Sequence, residues 1–502
     1  MVGTFPLRIG SAAQFAQVRS ALRSARFDER TICETLRIKA MSDVLSVDLD
    51  DVDFASVPDP LPVLVRLFVT CGPMPRAEVE RVLDRATLDA MVALGLLDAG
   101  APGPDACHAR VLLYPVAGFW IASDRHNHPD GSPFVARPDI VFPAIYGGTL
   151  RFLELLPRSH AESALDLGAG SGIGAFVLSR SSARAVASDI TERATHFARF
   201  NRALNEAANV DVVCGDLYGA VAGQTFDRIV AHPPYVPSVD MAAIWRDGGT
   251  TGELLVRRII EGLPDHLRPG GLACTVSIGL DTAKGRFEDR ARGWLGDHHQ
   301  DFDIVFAAAD ERSPDEVLRK LAEQDPQWTP AKRDQLKDAF TEAEVVAMPH
   351  GALVVRRHAA AEPRPGWTLR AKLSEATDGD DLERAFFLHD RLSEPRFRDR
   401  IADCRPVLAP RLQVNVAYRV DEGALVPADY VFETDKPFAA KGRVDGWLVP
   451  LLAGLDGKRT VAEIIAKAKA EGELPDGFSL ADFCALVARM GERGFLLLPD
   501  DG

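Results

Sequence analysis

The stretch Ala164-Leu165-Asp166-Leu167-Gly168-Ala169-Gly170-Ser171-Gly172-Ile173-Gly174 constrains this chain more than any other. An apolar run carries an aspartate at its end, glycines crowd a turn, and Ala175-Phe176-Val177-Leu178 continues at helical spacing. The pattern predicts a strand, a glycine-rich turn and a helix. Gly168 and Gly170 lack Cβ, so they permit unusual φ/ψ and let a ligand lie against the backbone. The helix that follows offers free N–H groups at its start. A nucleotide-binding turn of the general dinucleotide type fits this stretch, and so does a strand-helix turn that binds nothing.

Further strands follow at regular intervals. Ala185 to Asp189 is a second apolar run ending in a carboxylate, placed about 20 residues after the glycines, where such folds put a ribose-binding acid. Val210 to Asp216 is a third, and Phe226 to Ala231 a fourth that runs into His232-Pro233-Pro234-Tyr235. Gly270 to Val276 reads as a fifth, Phe302 to Phe306 as a sixth and Ala352 to Arg356 as a seventh. Strands alternating with helical segments imply an α/β fold with a parallel sheet covered on both faces.

The order of these elements resembles the class I S-adenosylmethionine (SAM)-dependent methyltransferases. The tetrapeptide after the fourth strand resembles the branch with Asn-Pro-Pro-Tyr at that place, which includes the glutamine N5-methyltransferases of release factors and ribosomal protein. Arg246-Asp247-Gly248-Gly249-Thr250-Thr251-Gly252-Glu253-Leu254 is similar to the Gly-Gly-x-x-Gly-Leu segment of that branch. The resemblance covers about residues 140–358 and departs at His232, where the branch has asparagine.

The resemblance implies a Rossmann-like, seven-stranded core that takes SAM as cofactor. Gly168 and Gly170 then admit its methionine part and ribose, Asp166 takes up the amino group, and Asp189 accepts from both ribose hydroxyls. Asp216, with Leu217 beside it, falls at the adenine amino group, and Phe142 to Leu150 lies over the pocket. On the substrate side, the residue at 232 and the backbone carbonyl of Pro233 accept the hydrogens of a substrate NH₂, while the ring of Tyr235 packs against the planar group. His232 has three readings: facing the methyl group as a neutral acceptor in place of asparagine or as a general base, or serving as a packing residue in a non-catalytic relative.

At 502 residues the chain is expected to hold several domains. We divide it into an N-terminal helical, winged-helix-like domain (1–135), the methyltransferase domain (136–358), a linker (359–367) and a C-terminal α+β domain with a winged-helix-like end (368–502). The N-terminal reading rests on helix candidates at Leu61–Cys71, after Pro75 and at Leu88–Leu96, followed by paired strands at Ala109–Val116 and Gly118–Ala122. The third of these helices carries Arg85, Asp89 and few other charges, whereas a DNA-reading helix is richer in phosphate and base contacts. Packing or substrate gating is the expected role. Near the C-terminus, Leu455 to Val461 is weakly similar to small winged-helix modules that hold peptides in modification pathways. Ser313 to Glu344 reads as a charged helical stretch, either a lid or substrate-selecting arm or a solvated hairpin.

The net charge of −15 disfavours nucleic acid as a partner. The seven cysteines form no Cys-x-x-Cys pair and suit a reducing compartment. His126, His128 and the pair His298-His299 lack the companions that a structural metal requires, so no metal is expected. The run Leu61–Cys71 is interrupted by Pro62 and Arg66 and is too short to span a bilayer, and no signal peptide is expected. The expectation is a cytoplasmic enzyme that methylates a nitrogen or oxygen of a small molecule or peptide. A protein-glutamine methyltransferase, a nucleic-acid base methyltransferase and a SAM-binding scaffold without turnover are the alternatives. The sequence leaves the oligomeric state open.

Overall fold

The computed structural model describes residues 5–47, 51–99, 105–128, 132, 134–325, 327–359 and 364–499. Its centre is one mixed sheet. The strands are β1 (Ala161–Leu167), β2 (Ser182–Asp189), β3 (Val210–Cys214), β4 (Phe226–Ala231), β5 (Leu267–Ile278), β6 (Asp281–Thr282), β7 (Phe302–Arg312), β8 (Val345–Arg357) and β9 (Thr368–Lys372). They lie in the order β9-β7-β8-β5-β4-β1-β2-β3, with β6 paired to β8. β3, β2, β1, β4 and β5 run parallel, and β8 is antiparallel to both β5 and β7. The central strands are apolar on both faces because helices cover both: Leu165, Val186, Ile229 and Val230 are all fully buried.

Seven strands are expected from the sequence, and the sheet has nine. The additional edge strand β9 pairs in parallel with β7 from Ile304↔Thr368 to Ala308↔Lys372. Its Thr-Leu-Arg-Ala-Lys sequence shows no apolar run. Arg370 is held instead by ion pairs to Asp281 (2.5 Å) and Glu288 (2.6 Å). The strand therefore begins where the sequence places the C-terminal domain. Of the expected linker, residues 360–363 lie outside the described residues. The remainder is packed: Trp367 stacks on His389 at 3.9 Å, and Arg364 joins Arg356 and His358 around the fully buried Asp303. Burial opposes ionisation of Asp303, but hydrogen bonds from these two guanidinium groups and the imidazole hold its pKa down at about 2. Asp390, on helix Gly379–Ser393, pairs with the same two arginines and ties the C-terminal region to the sheet.

The N-terminal hairpin also departs from expectation. Leu112–Val116 and Phe119–Ser123 do pair, but as a separate two-stranded sheet. The strands that join Met74–Pro75 are Leu97–Ala99 and Ala106–Ala109, one hairpin earlier. The reason lies in α3 (Glu192–Asn205; earlier helices α1, Gly147–Glu154, and α2, Ile173–Leu178). Asn201 accepts from Ala122 N (2.8 Å) and donates to Ala122 O (3.0 Å). Asn205 likewise exchanges bonds with the backbone of Trp120. The second hairpin is thereby fastened to a helix of the central domain. A buried ion pair between Asp124 and Arg193 adds to this attachment.

α4 (Leu254–Glu261) precedes β5, and α5 (Phe287–Trp294), α6 (Pro314–Gln324) and α7 (Pro330–Glu342) follow it. α6 and α7 form a hairpin whose Val317, Leu318, Leu321, Leu336 and Phe340 pack with Tyr235, Val236 and Trp328. The charged stretch Ser313–Glu344 is thus no solvated appendage. One face covers the segment that follows the His-Pro-Pro-Tyr motif.

Candidate active site

Open parallel sheets present their ligand crevices at the carboxyl ends of the strands, and a cavity of about 540 Å³ lies there. Its lining includes Asp166, Gly168, Gly170, Asp189, Asp216, Leu217, His232, Pro233 and Tyr235, so the structure brings every one of the expected site residues to one cleft.

The floor is the turn after β1. Gly168 (φ +68°) and Gly170 (φ +54°) adopt left-handed backbone that L side chains rarely tolerate. A Cβ on either would meet no atom within 4 Å. These glycines leave space over the backbone that side chains would fill, which suits a cofactor laid across the turn. Asp166 sits beneath: one carboxylate oxygen accepts from Ala175 N in the first turn of α2 at 2.9 Å. Full burial, opposed by that one hydrogen bond and helped by nearby Asp189, raises its pKa to about 7. Asp189 braces the turn from β2. It accepts from Gly170 N at 3.0 Å and from Thr191 N and Oγ1 at 2.9 and 3.1 Å. Both Thr191 bonds fall on Oδ1, so the lone pair left for a ribose hydroxyl is on Oδ2. Asp216 is half exposed and pairs with Arg258 of α4 through both oxygens, at 3.3 and 2.7 Å. A ligand amino group there would share the carboxylate with that arginine.

The opposite wall is built of rings. His232 is stacked on Phe152 of α1, centroids 5.2 Å apart, and lies 5.8 Å from Tyr235. Burial among these rings, with His350 nearby, lowers the His232 pKa to about 4, so the imidazole is neutral at physiological pH. Tyr235 in turn lies 5.4 Å from the ring of His350. Burial raises the Tyr235 phenol above its usual range. It is a packing surface rather than a phenolate.

Residues 144–281 match the family described as Methyltransferase small domain. Residues 51–108 match a domain of unknown function. The release factor glutamine methyltransferase of Geobacter sulfurreducens is 32% identical over 173 residues, covering 31% of this chain and 60% of that protein. The ribosomal protein uL3 glutamine methyltransferase of Bradyrhizobium diazoefficiens is 29% identical over 233 residues, covering 41% of this chain and 71% of that protein. The methyltransferase domain match thus includes the glycine turn, the acids at the strand ends and the His-Pro-Pro-Tyr motif, and leaves both flanks outside.

Several glycines and one glutamate shape this cleft through partners distant in sequence. Gly174 is required because a Cβ there would come within 2.6 Å of the Asp166 carboxylate. Gly248 and Gly252 wrap the motif: a Cβ would lie 2.7 Å from Tyr235 Cα and 2.5 Å from Tyr235 O, respectively. Glu253, buried against Arg290 (2.8 Å) and accepting from Leu280 N (2.7 Å), pins the end of that loop to β5's exit. The spacing Gly-Gly-x-x-Gly marks the loop in the sequence. The partner of each glycine becomes visible only in three dimensions.

Proposed function

We propose that this chain is a SAM-dependent methyltransferase whose acceptor is the nitrogen of a primary carboxamide, carried by a glutamine side chain of a peptide or protein. When bound, SAM supplies an electrophilic methyl group on sulfur. The observation that carries the reading is the neutral, ring-packed His232. An imidazole whose conjugate acid has a pKa near 4 is a weak base for an amine or hydroxyl at pH 7. It is a serviceable hydrogen-bond acceptor, the role asparagine plays in the related branch. Its free nitrogen takes one N–H of the amide, the Pro233 carbonyl takes the other, and the Tyr235 ring lies along the plane of the group. With both hydrogens held, the nitrogen lone pair is turned toward the methyl. The nitrogen releases one proton to solvent as it gains the methyl. The names of the two relatives above agree with this acceptor.

Cofactor roles follow from the same reading: Gly168 and Gly170 under the methionine and ribose, Asp166 for the amino group, Asp189 for the ribose hydroxyls, and Asp216 with Leu217 at the adenine. Residues 61–99 and 105–109 form, in this reading, a winged-helix-like unit that packs rather than reads DNA. Helix Arg85–Ala93 is held against helix Ala12–Ser24 by Gln17–Thr87 (2.8 Å), and Arg85 is engaged by Asp89 (3.0 Å). The test is tritiated SAM added to an extract of the native host with the purified full chain, followed by mass spectrometry of labelled peptides. Label on glutamine nitrogen that depends on His232 is the expected result. Label confined to nucleic acid or to small metabolites rules the reading out.

A further inference from the structure

The cleft continues past the acceptor position into a wall that the proposed chemistry does not use. Val236 N donates to Arg246 O (3.0 Å) and Gly248 N to Val236 O (2.8 Å), so residues 245–248 run beside the His-Pro-Pro-Tyr motif. Ile244 N donates to Pro138 O (3.1 Å), which closes this loop onto the segment before α1. Between the two strips, Trp245 stacks on Phe142 at 4.5 Å with ring planes 8° apart, and Phe142 on Tyr146 at 4.3 Å. All three rings line the cleft.

The rim above them is apolar and open. Met241 and Ile244 line the same cleft with 43% and 45% of their surfaces exposed. Met241 also holds φ +48°, a conformation unfavourable for a side-chain-bearing residue. The backbone around it is braced. Asp240 accepts from Ser238 Oγ (2.9 Å) and pairs with Lys332 of α7 (3.1 Å), which also pairs with Asp325 (3.2 Å). Asp139 pairs with Arg137 (2.9 Å), whereas Arg246 stands 3.7 Å from Asp247 Oδ1, a buried carboxylate oxygen without a hydrogen-bond partner. The indole Nε1–H of Trp245 is buried without an acceptor, a state that costs free energy until a carbonyl supplies one.

We propose that Met241, Ile244, Phe142 and Trp245 form a specificity site for an apolar side chain adjacent to the methylated glutamine, with a substrate backbone carbonyl completing the Trp245 indole. The proposal rests on the carboxamide reading above. A ring-lined wall with a strained, exposed methionine at its lip accepts varied apolar shapes, because a thioether side chain adapts to its contacts. It rejects an acidic neighbour, which would be desolvated there close to Asp247.

The experiment gives the full chain tritiated SAM and short glutamine peptides that differ only beside the glutamine, with leucine or phenylalanine against serine or aspartate. Wild type should prefer the apolar neighbours by about 10-fold or more in kcat/KM, the range a hydrophobic pocket provides. Ile244→Ser and Met241→Ala should each erase most of that preference through KM, leaving kcat and SAM affinity within about twofold. Two variants at separate positions guard against a loss caused by misfolding of one, and unchanged SAM binding certifies each fold. If all peptides are methylated equally well, the specificity site is overturned while the carboxamide reading stands. If no glutamine peptide is methylated by enzyme that binds SAM, the carboxamide reading fails and the specificity site falls with it.

Discussion

The two halves of the cleft are made in different ways. The cofactor half is assembled from neighbours in sequence: the carboxylates of Asp166 and Asp189 accept from the backbone N–H groups of Ala175, Gly170 and Thr191. The acceptor half brings together Phe142, Tyr146 and Phe152 from before β1, His232 to Asp247 from after β4, and Lys332 from α7. Its contacts are ring against ring and loop against loop. Backbone geometry is the rigid element in the first half, and side-chain packing in the second. Substitutions should therefore separate: changes in the first half alter the affinity for cofactor, and changes in the second alter turnover and acceptor KM.

The largest separation is expected from Gly168→Val. The position has φ +68°, and a β-branched side chain there is both strained and directed into open cleft. SAM affinity should drop by about 100-fold or more, which calorimetry reads directly. Retained affinity with a raised acceptor KM would invert the assignment of the two halves.

Next is His232→Ala, which removes an acceptor from the opposite wall. Loss of one oriented hydrogen bond should lower kcat by about 10- to 100-fold with SAM affinity within about twofold. His232→Asn should keep most of the turnover, because the amide oxygen offers the same acceptor. If His232→Asn is as inactive as the alanine variant, proton abstraction by the imidazole is the better account, and the weak basicity argued from its burial is wrong.

This division also explains what the sequence made legible. The glycine turn and the acids at successive strand ends are local features, and their positions followed from spacing alone. So did five parallel strands, each an apolar run with two covered faces. β9 was hidden because an edge strand needs no such run, and the buried partners of Arg370 stand 82 or more residues away in sequence. The attachment of the N-terminal hairpin to the central region was not legible, because the groups that hold it, Asn201 and Asn205, sit on a helix far along the sequence. The Trp245–Phe142–Tyr146 stack and the Lys332 brace join segments about 90 residues or more apart, so no window of sequence contains them.

A smaller effect is expected from Asp189→Ala in the cofactor half. The carboxylate both braces Gly170 and, in the proposed role, accepts from ribose. Loss of a hydrogen bond to a charged group is worth about 1.5–3 kcal/mol, and the partial exposure of the site places the result toward the lower end, about 10-fold in SAM affinity. An unchanged dissociation constant would leave Asp189 as a turn brace only and move the ribose elsewhere.

The smallest effect separates the halves by pH. Asp166 has its pKa raised to about 7 by burial, with one bond from Ala175 N and the charge of Asp189 nearby. Its ionised fraction therefore changes across the physiological range. If the carboxylate receives the cofactor's ammonium group, affinity should rise with pH as Asp166 loses its proton, by up to about fourfold between pH 6.5 and 8. Folding follows the opposite sign. A carboxyl whose folded pKa exceeds its unfolded value favours the folded state most at low pH, and this contribution is lost as pH rises from about 4 toward 7. The acceptor half stays silent over the same interval, because His232, with a pKa near 4, is neutral throughout. SAM affinity should thus show an acid limb that Asp166→Asn flattens, while turnover at saturating cofactor stays level from pH 6 to 8. A turnover limb near pH 6.5 that survives Asp166→Asn and disappears in His232→Asn would place the titrating group in the acceptor wall and reverse the contrast between the two halves.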